Sequence, residues 1–153
     1  MGTTDWKKAR ALQHQLRTGL FETGLLVQKI GNETEARKAI DEINSVIGLA
    51  ALTALEDGKN IFPAIVAVGP HMVSLLEQEQ EKIQELSERL CTAIENLEEG
   101  FSQSEKRMEL NVTRHVFHDW MTQVLSYLNK LELVMEGLKE EDVVAERKVL
   151  VAA

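Results

Sequence analysis

Residues 110–138, LNVTRHVFHDWMTQVLSYLNKLELVMEGL, decide the fold class. Leu110, Phe117, Trp120 or Met121, Val124, Leu128, Leu131, Met135 and Leu138 follow one another at spacings of three and four, or seven where one position is skipped; Trp120 and Met121 are neighbours that share one turn of the seam. Only a helix with one buried face produces that rhythm, because each turn takes about 3.6 residues. A strand would alternate every second residue.

The same rhythm runs backwards through the chain. Ile40, Ile43, Ile47, Ala50, Ala54, Asp57, Ile61, Ala64 and Val68 form a second seam. Met72, Leu76, a polar position at Glu79 or Gln80, Ile83, Leu86, Leu90, Ala93 and Leu97 form a third. The first segment carries two stripes: Ala9, Leu12, Leu16, Leu20 and Val27, and also Ala11, His14, Thr18, Phe21 and Leu25. The breaks lie at Gly31-Asn32, Gly69-Pro70 and Gly100, with Ser102 to Glu105 reading as a capping box. They predict helices over about 4–30, 33–68, 70–99 and 104–138. Joints this short favour an all-α, up-down-up-down four-helix bundle over residues 1–138. Residues 139–153 read as a tail or a short docked helix.

The totals agree. The chain has 153 residues, enough for one domain with a core of its own, and only two prolines and 5% aromatics. Its net charge of −8 argues against nucleic acid and against an anionic membrane surface, since both need clustered cations. One cysteine, Cys91, cannot form an internal disulfide, which points to a reducing, cytoplasmic setting. Neither a secretory leader nor a membrane-spanning run is expected. Glycine-rich phosphate loops, CxxC pairs and nucleophile elbows are missing from the sequence, so catalysis is not expected. Cys91, next to Leu90, reads as a small packed residue. His115, His118 and Asp119 share a helix face, read as solvated, and the glutamates from Glu77 to Glu88 read as a charged outer face.

The seams are interrupted by polar residues. Asp57 lies in the second, Gln80 or Glu79 in the third, and His14 in one stripe of the first segment; Glu132 and Tyr127 flank the fourth. A buried carboxylate is paired, protonated or bound to metal. Two readings stand side by side: a metal site between facing helices, or a polar network inside the bundle.

These residues carry a likeness. Glu56-Asp57-Gly58-Lys59-Asn60-Ile61-Phe62-Pro63 resembles the second-helix signature of hemerythrin-like (HHE cation-binding) proteins, Gln80-Glu81-Lys82-Ile83 the third-helix stretch, and Tyr127 to Glu132 the fourth. Ala11 to Arg17 is similar to the first-helix histidine segment. The resemblance implies a bundle around a non-haem di-iron centre held by histidines and carboxylates, with dioxygen or a related small ligand. Carried over by position, His14 matches a histidine ligand, Asp57 or Glu56 a carboxylate, and Glu132 a second carboxylate. Thr53, Gln80 and Tyr127 stand where the family has histidines, and His71, His115 and His118 are poorly placed to replace them. The expectation is therefore a degenerate site: a small binding or sensory module with weak or no iron binding, His14, Asp57 or Glu56, and Glu132 being the residual ligands and Thr53, Gln80 and Tyr127 lining the cavity. The alternative is a metal-free helical interaction protein, dimeric through the second stripe of the first helix or through the tail. A carboxylate-bridged oxidase is the weakest reading, for want of Glu-x-x-His pairs.

Overall fold

The computed structural model describes the backbone of residues 6–100 and 106–152, and the side chains of residues 6–100 and 108–138. Within these residues the chain is four long helices and no strand. α1 is Lys7–Gln28. α2 is composite: an α-helical stretch Glu33–Glu56, a π-helical turn Asp57–Ile61 and a short continuation Phe62–Val66. α3 is Pro70–Gly100 and α4 is Lys106–Ala152. The capping box expected at residues 102–105 lies outside the described residues. The backbone of α4 runs on to Ala152, so residues 139–152 continue that helix; their side chains lie outside the description.

The helix starts follow local chemistry. Asn32 caps α2, its Oδ1 accepting from the Glu35 amide at 2.8 Å, while Glu35 Oε2 reaches back to the Gly31 amide at 3.2 Å. Pro70 opens α3, where a missing N–H costs nothing. The end of α1 is held from a distance. Arg114, on α4, donates to the carbonyls of Val27 (3.1 Å) and Ile30 (2.8 Å), placing a cation on the negative end of the helix dipole.

α1 packs along α2 and α3 along α4, and the pairs join where α1 meets α4 and where the short continuation Phe62–Val66 of α2 meets α3. α2 and α3 meet over little of their length. The core is the set of seams read from the sequence. Leu16, Leu20, Ile43, Leu90, Leu97, Trp120, Val124, Leu128 and Leu131 are almost wholly buried, each contributing about 1.5–3 kcal/mol through removal from water. Three expectations need correction. The second stripe of α1 is not in the core: Phe21 is 69% exposed and Leu25 is exposed. Val68 and Met72 are also exposed, because they flank the turn at Gly69. Glu79, placed both at the seam and in the charged outer run, is on the seam side: it is buried, and Lys130 and Gln123 of α4 donate to it.

The π turn sets the register of α2. Thr53, Asp57, Ile61 and Ile65 are 0%, 0%, 0% and 1% exposed, at strict intervals of four. In a regular helix that spacing drifts by about 40° per step. The Phe62 amide instead bonds the Asp57 carbonyl, five residues back, and the wider turn removes part of the drift. Pro63 explains why the irregularity falls here. It cannot donate to Lys59, and its ring crowds that carbonyl. The consequence is that Glu56 and Asp57, and also Ile61 and Phe62, are buried as adjacent pairs.

Candidate functional site

Four polar side chains, one from each helix, meet inside the bundle. Gln13 of α1 donates through Nε2 to Asp57 Oδ1 at 2.9 Å. Tyr127 of α4 donates through Oη to Asp57 Oδ2 at 2.8 Å. Gln80 of α3 donates through Nε2 to Tyr127 Oη at 2.9 Å and to the Ala54 carbonyl at 3.3 Å. The chain therefore reads Gln13 to Asp57, and Gln80 to Tyr127 to Asp57, with Gln13 and Tyr127 donating directly to the carboxylate. Burial, above all, makes that carboxylate reluctant to ionise; with the bonds from Gln13 and Tyr127 opposing the shift and the nearby Glu56 charge adding to it, its pKa is raised to about 6. Burial and the Asp57 charge likewise push the Tyr127 phenol upward, so it stays a donor.

Of the residues expected to share a metal, His14 and Glu132 meet at the surface, apart from the buried Asp57 and Glu56. His14 is exposed. Taking ~100° per residue, it lies about 150° from the centre of the buried stripe of α1, whereas Gln13 is on the flank of that stripe and reaches inward. Glu132 is exposed too, and pairs with Arg17 at 3.0 Å. His14 and Glu132 line a surface hollow of about 240 Å³ with Gln13 and Arg17, outside the buried network. Glu56 is buried but turns from Asp57: Asn60 donates to it, and Lys8 lies 3.7 Å away. Thr53, Gln80 and Tyr127 line a common cavity, but none of His14, Glu56, Asp57 and Glu132 lines it with them.

The donor set at the network does not fit a metal pair. It holds one carboxylate, both of whose oxygens already accept hydrogen bonds, and no imidazole. Among the described residues, no group of three or more His, Cys, Asp or Glu side chains is placed to hold a metal ion. The His115–Asp119 pair, 3.7 Å apart, is exposed.

Beside the network, where α2 and α3 part, lies a cleft of about 410 Å³. Ala50, Ala51 and Ala54 leave the space on one side; Leu16, Ile47, Ile83 and Val124 make it mainly apolar. Thr53, Gln80, Ser87 and Tyr127 supply polar wall, and Gln84, Glu88 and Cys91 stand near the mouth. Cys91 is exposed there, not packed as the sequence suggested. Gln13 is the network member that the sequence reading passed over. Its signal was available, since it stands four residues after Ala9 and three before Leu16 on the buried side of α1.

No helix among the described residues is long and apolar enough to cross a membrane. Compared with family models, with curated proteins and with solved structures, the chain matches none.

Proposed function

We propose that this chain is a hemerythrin-like bundle acting as a small binding or sensory module, whose interior is organised by hydrogen bonds in place of a di-iron centre. The observation that carries the reading is the four-helix chain Gln13, Asp57, Tyr127 and Gln80, whose last two members form a wall of the cleft. A satisfied polar network is a rigid way to hold four helices in register, and a preformed, mainly apolar cleft with a few polar groups is the usual form of a small-molecule site.

The test is metal loading. The purified protein is incubated anaerobically with ferrous iron, exposed to air, desalted and assayed for bound metal and near-ultraviolet charge-transfer absorption. Less than one iron per chain, with an unchanged melting temperature after chelation, is expected. Two irons per chain with an oxo-bridged spectrum would overturn the reading.

A second reading, a helical interaction protein, draws on the exposed Phe21 and Leu25 of α1. Sedimentation of the parent chain and of Phe21→Glu decides it: a dimer dissociated by the substitution supports interaction through that stripe.

A further inference from the structure

The cleft between α2 and α3 is one-sided in its hydrogen bonding. Thr53 Oγ1 donates to the Leu49 carbonyl at 2.7 Å, and Ser87 Oγ to the Ile83 carbonyl at 2.8 Å. Tyr127 Oη donates to Asp57, and Gln80 Nε2 to Tyr127 Oη and the Ala54 carbonyl. A carbonyl can only accept, so these directions are fixed by the partner, including which way round the Gln80 amide stands. Every hydroxyl or amide hydrogen on the inner polar wall is thus committed to the protein, while lone pairs are left over. Gln80 Oε1 is the clearest, since both bonds made by that amide go through its nitrogen. Ser87 is further occupied by accepting from Trp120 Nε1 at 2.8 Å. Gln84 and Cys91 have hydrogens to offer, but at the exposed mouth.

We infer that the cleft takes a small, uncharged molecule with an apolar body and a hydrogen-bond-donating head, an alcohol or a phenol, its donor seated on Gln80 Oε1. This rests on the binding-module reading above and narrows it to a ligand class. A head that can only accept faces lone pairs and leaves its own polarity unpaired on leaving water, which is the mismatch that sites reject most strongly. A fixed anion is disfavoured by the same lone pairs and by Glu88 near the mouth. The size also selects. An apolar cavity of about 150 Å³ holds one benzene, so about 410 Å³ accommodates a fused two-ring or alkyl-substituted body.

Isothermal titration with 2-naphthol and 2-methoxynaphthalene tests this. The two share shape and ring system, but only the first donates. The expected result is at least tenfold tighter binding of 2-naphthol, with both affinities lost in Ala54→Leu, which fills the cleft; Ala51→Leu serves if that variant does not fold by circular dichroism. Gln80→Met should erase the preference between the two probes while still binding them. Equal affinities in the parent chain, both lost on filling, overturn the donor requirement but leave a binding cleft. Binding of neither probe, or binding indifferent to Ala54→Leu and Ala51→Leu, removes the cleft as a site and this inference with it.

Discussion

Replacing Asp57 by asparagine takes the charge out of the four-helix network, and its effect should depend on pH in a defined direction. The folded-state pKa of Asp57 is raised from 3.8 to about 6. A raised carboxyl pKa means that the folded chain binds this proton more readily than the unfolded chain. Stability from this group is therefore highest below pH 4 and declines as pH climbs through about 6, the penalty of holding a buried charge being complete only above that pKa. A gap of roughly two pKa units corresponds to about 3 kcal/mol. The neutral amide of the variant carries no such penalty. It does impose a cost of its own, because an amide cannot accept from both Gln13 and Tyr127 and one neighbour must turn; that cost is the same at every pH. The quantity to measure is thus the stability of Asp57→Asn minus that of the parent, from urea unfolding followed by far-ultraviolet circular dichroism between pH 4 and 7.5. It should rise by about 2–2.5 kcal/mol in the variant's favour across that range, the remainder of the gap falling below pH 4. A difference that stays level, or drifts the other way, would refute the picture of a strained buried carboxylate and make Asp57 an ordinary stabilising anion.

Tyr127→Phe removes a donor from Asp57 and an acceptor from Gln80, and should cost about 2 kcal/mol in urea unfolding at pH 7.5. The same variant should move the Asp57 titration, followed by carboxyl carbon NMR, to still higher pH, since the lost bond was favouring the charged form. Asn32→Ala should lower stability by about 1 kcal/mol through the uncapped amide of Glu35. Arg114→Met should cost about 1–2 kcal/mol, and amide hydrogen exchange should accelerate in the last turn of α1 more than elsewhere.

The helices were legible because their seams are long and regular. Leu16, Leu20 and Val27, or Val124, Leu128 and Leu131, mix odd and even positions and so cannot share one face of a strand, whereas a helix buries them together. The Asn32 and Pro70 starts were legible as local chemistry. Asp57, Gln80 and Tyr127 could be seen as polar interruptions, since each falls on or beside a seam. What one chain's spacing does not give is the rotation of a helix about its axis once two stripes compete. On α1 the histidine drew attention to the wrong stripe, and Gln13, one residue away, faces Asp57 instead. Spacing also left Glu79 and Gln80 as alternatives for one seam position; both turn inward, Glu79 because Lys130 and Gln123 of another helix reach it. The cleft was hidden too. It arises from α2 and α3 parting, and the small side chains at Ala50, Ala51 and Ala54 permit that separation without announcing it.

The wide turn at Asp57–Ile61 leaves α2 with slack. Its two flanks are anchored independently, by Thr53 and Asp57 above and by Ile61 and Ile65 below, and the loop of helix between them includes the exposed Gly58 and Lys59. A chain shortened by one residue there could close into an ordinary helix and keep both anchors roughly in place. Length variation that would scramble the facing of any other part of this bundle is, at this one place, absorbable, so here a descendant could slide the lower end of the helix without dismantling the network above it.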